Sequence, residues 1–285
     1  MRNQVSPMSH PQHVRQYGAP RPRLCLATSY TSDYADIGSY CAMTLHLYAA
    51  RWGYGVHVVT DVTLDRPPAW HRVRLIPELF DQGYEFVFWL DADALLQRFD
   101  VDILTEVRDG KDLYMVAHDH PSYAISQVPN TGVMLVRNTD WTRDLFDRLW
   151  GMTEYENHMW WENAAMIDLL GYRNLLGDHP FAPDAAMMAR TRLLHDGWNH
   201  IPSISDVEMP IIRHYAGHSN EVRREKLPRD AAAAFRDTLT DVGAETADRL
   251  RERVLALQTD LDALKNSRSW RLTAPLRRML GVIGQ

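Results

Sequence analysis

Cysteine is scarce in this sequence: Cys25 and Cys41 are the only two among 285 residues. Their spacing matches neither a zinc site nor a disulfide framework, so two buried thiols in a reducing compartment are expected. Long apolar runs are missing too. No stretch reaches the ~18 apolar residues of a membrane-spanning helix, and the first residues lack the apolar core of a secretory signal. A cytoplasmic setting is therefore expected. Positive charge is in deficit, with 31 Lys and Arg against 37 Asp and Glu. The formal charge of −6 argues against nucleic acid as a partner. Neither Gly-x-Gly-x-x-Gly nor a Gly-Lys-Ser/Thr loop occurs, which disfavours a dinucleotide fold and a P-loop NTPase. What is present, 45% hydrophobic and 24% charged residues, is the balance of a globular protein.

The most informative stretch is Phe86-Val87-Phe88-Trp89-Leu90-Asp91-Ala92-Asp93-Ala94-Leu95-Leu96. An apolar run without alternation reads as a strand buried on both faces. Asp is disfavoured inside such a strand, so Asp91 and Asp93 are expected at its carboxyl end, where open α/β sheets bind ligands. Two carboxylates there repel each other unless a cation sits beside them. The pattern points to a metal or phosphate site, with turn or helix-capping acids as the structural alternative.

Residues 1–22 are polar and aperiodic and read as a flexible N-terminal arm. Arg23–Ser29 reads as a first strand, Ile37–Trp52 as a helix ended by Gly53 and Gly55, and Val56–Thr60 as a second strand. This compact unit suits a parallel crossover in an α/β sheet. Thr28, Ser29, Tyr30 and Asp36 lie after the first strand, where such a sheet would hold a base or ribose. Pro67-Pro68 precedes a helix over 69–81. Its Arg72 and Arg74, near the helix amino end, each read alone as solvated arginines, with an anion partner as the alternative.

Leu113–Ala117 reads as a strand, 121–129 as loop and Val133–Val136 as a further strand. Gly132 before it suggests close backbone approach or positive φ. Asn138-Thr139-Asp140 caps a helix over 141–152. Glu162 and Asn163 open the next helix, beside Trp160 and Trp161, which suit sugar stacking. Met187–Arg190 suggests an edge strand, and Pro210–Tyr215 a short strand carrying His214. Residues 23–230 thus form the main domain and 231–285 a helical extension. Within the extension, Ala247 to Leu264 form a short heptad seam that docks on the domain or pairs two subunits. Ser267–Gln285 is basic and amphipathic, suited to a membrane surface or to packing on the protein body.

The ordered series FWLDADALL, NTGVMLVRNTDW, WWENAAMIDLL and RHYAGHS resembles glycosyltransferase family thirty-four, the retaining α-galactosyl-, α-xylosyl- and α-mannosyltransferases. The resemblance covers roughly residues 23 to 225. Asn266–Arg277 is similar to a segment that closes many bacterial glycosyltransferases. The family resemblance implies a GT-A fold, a mixed central sheet flanked by helices. It also implies a nucleotide-sugar donor (UDP-sugar favoured, GDP-mannose the alternative) and a glycan or lipid-linked acceptor. Asp91, Asp93 and His214 would hold Mn²⁺ or Mg²⁺, with Asp91 also near the donor ribose. Asn130, Thr131, Gly132 and Gly217 would contact the donor. Glu162 and Asn163 match a family Asp-Gln pair and would act at the sugar, with Asp93 counted among the catalytic residues through its metal. Glu162 would be the nucleophile or only bind the sugar, and same-face attack by the acceptor is favoured. The family's diphosphate-binding lysine is replaced by Ser219, with Arg223 and Arg224 nearby. The rival expectations are a non-catalytic nucleotide-sugar-binding or scaffold protein and an Asp-nucleophile phosphotransferase.

Overall fold

The computed structural model describes residues 22–119, 127–172 and 183–241. The expected N-terminal arm up to residue 21, the heptad seam and the basic tail, with their proposed membrane and subunit contacts, lie outside the described residues. Among the described residues no helix is long and apolar enough to cross a membrane.

Among the described residues eight strands form two sheets: β1 (Leu24–Ser29), β2 (Gly55–Val59), β3 (Phe86–Leu90), β4 (Ala94–Leu96), β5 (Leu113–His118), β6 (Val128–Arg137), β7 (Thr191–Leu194) and β8 (Ile212–His214). The larger sheet has the order β2-β1-β3-β6-β5-β7, and β4 and β8 form a separate pair. In the larger sheet only β6 runs against the others, being antiparallel to both β3 and β5. The expected mixed sheet flanked by helices is therefore present.

Strand β3 lacks polar alternation because both of its faces are covered. Val87 and Trp89 face a core built with α2 (His71–Asp81), α3 (Asp140–Gly151) and α4 (Trp161–Leu169). Phe86, Phe88 and Leu90 face the opposite layer with Cys41, Leu45 and Tyr48 of α1 (Ala35–Trp52). Helix α1 ends where Gly53 adopts φ 72°, as the Gly-ended periodicity predicts. Thr139 caps α3 by accepting from Thr142 N. Both cysteines are buried and free.

Asp91 and Asp93 follow the carboxyl end of β3, as expected, and the apolar run after them is a separate strand. Ala94 N bonds Asp91 O at 2.8 Å, and this turn throws β4 out of the main sheet to pair with β8. Asn130-Thr131-Gly132 lies inside β6 rather than before it, and β6 already begins at Val128, in the stretch expected to be loop. Met187–Arg190 is the end of a helix, α5 (Ala185–Arg190), and not an edge strand. Asp184 accepts from Met187 N and starts the helix, and the edge strand follows as β7 once β-branched Thr191 is reached.

Helix α6 (Asn220–Asp241) starts well before residue 231 and carries Pro228 within it. Its Leu227 and Ala231 are buried with Ile37, Leu95 and Tyr215, fixing it to α1 and β4. Leu227→Ala should cost about 2–5 kcal/mol in urea unfolding, as truncation of a fully buried leucine does. A loss below about 1 kcal/mol would mean that α6 is not held by this cluster.

Candidate active site

The strand break builds the centre of the site. Asp91 N makes a last ladder bond to Gly132 O at 2.7 Å, leaving Asp91 and Asp93 at the carboxyl end of β3. Because β6 runs the other way, its amino half brings Asn130, Thr131 and Gly132 alongside. Val116 of β5 pairs with Asn130 and Met115 with Met134, so residues 131–133 bulge from that ladder. Pairing of Ala94 with His214 across β4 and β8, and Tyr215 N to Asp93 O at 3.0 Å, set the histidine beside the acids. A cavity of about 670 Å³ opens over these groups.

One ligand atom from each of Asp91, Asp93 and His214 lies within 4.8 Å of the others. His214 Nε2 is 3.3 Å from Asp93 Oδ1 and 3.8 Å from Asp91 Oδ2. Ligands about 2.1 Å from one ion sit about 3 Å apart at right angles, so a modest contraction would close the set on a cation. Gly132 makes room for it: a Cβ there would stand 2.1 Å from His214 Cε1 and 2.9 Å from Asp91 Oδ2. Two carboxylates and one imidazole fit Mn²⁺ or Mg²⁺, with the imidazole favouring Mn²⁺.

The other oxygen of each acid is held by an arginine. Arg72 reaches Asp91 Oδ1 at 2.5 Å, and Trp89 Nε1 donates to the same oxygen at 2.9 Å. Arg223, in the first turn of α6, reaches Asp93 Oδ2 at 2.8 Å. Burial pushes the Asp93 carboxyl up, but His214 and Arg223 outweigh it and hold it well below the usual carboxylate range.

Arg72 also joins the two ends of the site. It donates to Thr131 O at 2.7 Å and pairs with Glu162 Oε1 at 3.2 Å. Thr131 Oγ1 donates to the same Glu162 oxygen at 3.1 Å, and Thr131 N donates to Asn163 Oδ1 at 2.8 Å. Glu162 is only 2% exposed. Burial pushes its carboxyl up to about 7, with Asp91 adding to the rise and Arg72 and Thr131 opposing it. Its Oε2 has no hydrogen-bond partner, although Glu162 lines the cavity. Trp161, in the left-handed region at φ 46°, is 45% exposed and Met159 is 73% exposed at the same cavity.

Ser29, Tyr30, Asp91, Asp93, Asn130, Thr131, Gly132, Glu162, Asn163, His214 and Gly217 all line one cavity. Thr28 and Asp36 do not. Thr28, at the end of β1, is fully buried. Asp36 lies on an exposed turn of α1 and pairs with Arg224 at 2.5 Å. Of the two arginines near Ser219, then, only Arg223 reaches the site. Arg72 is a buried cation rather than a solvated one. Its spacing to Leu75 and Leu79, a second apolar stripe on α2, was the signal. Asn199 escaped the sequence reading altogether. Its side chain bonds both His214 Nδ1 and Asn130 Oδ1 at 2.9 Å, and only its place between the large apolar residues Trp198 and Ile201 hints at burial.

The raised Glu162 value has a sign that can be tested. The folded protein holds this proton more tightly than the unfolded chain, so Glu162 contributes less to stability as pH rises from about 4.5 to about 7. In metal-free protein, Glu162→Gln should remove that decline, and the native-minus-variant difference in unfolding free energy should fall across this window. A difference that stays flat, measured by urea unfolding at several pH values, would contradict the assignment.

Residues 68–195 match the family of nucleotide-diphospho-sugar transferases. No curated protein matches the chain in sequence. Among solved structures, a glycosyltransferase involved in glycosylation of the major capsid of PBCV-1 superposes with a TM-score of 0.59 at 14% identity, covering 73% of this chain and all of that one. The galactosyltransferase LgtC, solved with donor and acceptor sugar analogues, gives 0.48 at 15% identity over 73% and 95% of the two chains. GlyE of Streptococcus pneumoniae TIGR4 gives 0.47 at 14% over 78% and 64%. The chain has the GT-A fold and resembles the glycosyltransferases that share it.

Proposed function

We propose that this protein is a metal-dependent, retaining glycosyltransferase. It moves a hexose or pentose from a nucleotide diphosphate sugar, a UDP-sugar by preference, to a glycan or lipid-linked acceptor. The observation that carries this reading is the convergence, on one cavity, of a three-ligand cation site with a buried carboxylate that has one oxygen unpaired.

Asp91, Asp93 and His214 would hold the ion. When bound, Mn²⁺ or Mg²⁺ neutralises the charge that grows on a departing diphosphate. Arg223 takes the part of the absent lysine. It is already in the cavity, and its bond to Asp93 can be exchanged for a phosphate oxygen once a cation neutralises that acid. Ser29 and Tyr30 flank the nucleotide, and Asn130, Thr131 and Gly132 lie beside the sugar.

Glu162 and Asn163 orient the sugar. Glu162 Oε1 is engaged by Arg72 and Thr131, which leaves Oε2 for a donor hydroxyl. A carboxylate held in this way favours sugar binding over nucleophilic attack. In the same-face step, an acceptor hydroxyl oxygen bonds the anomeric carbon as its bond to the diphosphate breaks. The hydroxyl proton passes to the departing phosphate oxygen. Trp160, Trp161 and Met159 offer the acceptor an apolar ledge at the cavity mouth.

Donor turnover with Mn²⁺ tests the assignment. Asp93→Ala should abolish it, Arg223→Ala should lower it more than about tenfold, as loss of one charged transition-state contact does, and Arg224→Ala should leave it within about twofold. Unchanged turnover in Asp93→Ala would refute the proposal. Metal-dependent donor binding with neither transfer nor hydrolysis would instead favour a non-catalytic nucleotide-sugar-binding protein.

A further inference from the structure

The cation site is backed by a chain of amide contacts whose polarity can be worked out from one end. The backbone N–H of Gly132 can only donate, so the side-chain atom of Asn130 that it meets at 2.9 Å is the oxygen. Asn199 meets that same oxygen at 2.9 Å and must therefore present its NH₂ there. The other face of the Asn199 amide, its Oδ1, is then the atom 2.9 Å from His214 Nδ1. An oxygen that only accepts requires a proton on Nδ1. In the neutral ring Nε2, which faces Asp91 and Asp93, then carries the lone pair that a cation between the acids would meet.

Amide orientation and histidine tautomer are usually open choices. Here a backbone donor three links away closes them. Asn199 is itself anchored. It is fully buried, its backbone carbonyl accepts from His118 Nε2 at 2.7 Å, and its neighbour His200 is tied to β8 by His200 N to Ile212 O at 2.9 Å and His214 N to His200 O at 2.8 Å. Gly132 is thus used twice: its N–H starts the chain, and its missing Cβ leaves space for the ring that ends it.

We infer that Asn199 is a positioning residue for the cation site: through Asn130 and the Gly132 amide it fixes His214 as the Nδ1–H tautomer and so presents Nε2 as a metal ligand. The inference rests on the proposed metal reading of Asp91, Asp93 and His214. Residues that donate or accept behind a metal-bound histidine set its ring angle and tautomer, and their loss costs about 10–100-fold in affinity.

The test is Mn²⁺ binding without any nucleotide, followed by the electron paramagnetic resonance signal of free Mn²⁺. Asn199→Leu, close in size but without an acceptor, should weaken binding about 10–100-fold. Asn199→Asp keeps the acceptor on Nδ1–H but loses the NH₂ that meets Asn130 Oδ1, so it should recover part of the binding that Asn199→Leu loses, a rescue that a general packing role would not produce. With diamagnetic Mg²⁺ in place, ¹⁵N-histidine spectra should show the His214 proton on Nδ1. Native protein that binds Mn²⁺ while Asn199→Leu binds it equally well, or a His214 proton on Nε2, would overturn the role of Asn199. Native protein that binds no Mn²⁺ would overturn the metal reading itself.

Discussion

Two carboxylates at the end of an otherwise apolar strand have to be neutralised, and the site is arranged around that requirement. Asp91 and Asp93 each give one oxygen to an arginine and turn the other toward His214. The two acids and two arginines roughly cancel. A divalent cation added between them brings surplus positive charge to a buried place, and that surplus favours an anionic partner such as a diphosphate. In such an arrangement cation and diphosphate would assist each other, because each would supply the charge the other lacks.

The same constraint shapes the fold nearby. An acid cannot continue a strand buried on both faces, so the chain turns at Asp91 and starts β4 in a second sheet. That departure supplies a partner strand for β8 and so places His214, more than a hundred residues further on, against Asp93. Antiparallel β6 contributes the neutral side of the cavity, and its bulge at 131–133 lets Thr131 speak to Glu162, Asn163 and Arg72 together. Arg72 then couples Asp91 to Thr131 and Glu162 through one guanidinium.

Much of this was legible in the sequence. The apolar run into Asp-x-Asp marked the central strand and the edge of the site, and the ordered motifs brought His214 and Glu162 into it. What escaped was set by partners distant in sequence. Nothing local tells Arg72 that two acids wait beneath it, or Asn199 that it will stand between a histidine and another asparagine. Sequence order groups Thr28 and Asp36 with Ser29 and Tyr30 at the end of the same strand. Pleating turns Thr28 away from the cavity, and the exposed start of α1 carries Asp36 out to Arg224. Met187–Arg190 misled because apolar residues in a short run do not distinguish strand from helix, and the decisive cap, Asp184, lies outside the run.

The central claim is that cation and sugar diphosphate bind as a mutually dependent pair at Asp91, Asp93 and His214. Thermal unfolding across a panel of UDP- and GDP-sugars, with Mn²⁺ or with EDTA, tests it most directly. A ligand at a hundred times its dissociation constant adds about 2.7 kcal/mol, enough for a clear shift in melting temperature. At least one sugar nucleotide should give a shift with Mn²⁺ that exceeds the sum of the shifts from Mn²⁺ and nucleotide alone. Equal stabilisation with Mn²⁺ and with EDTA, or none from any sugar nucleotide, would contradict the account.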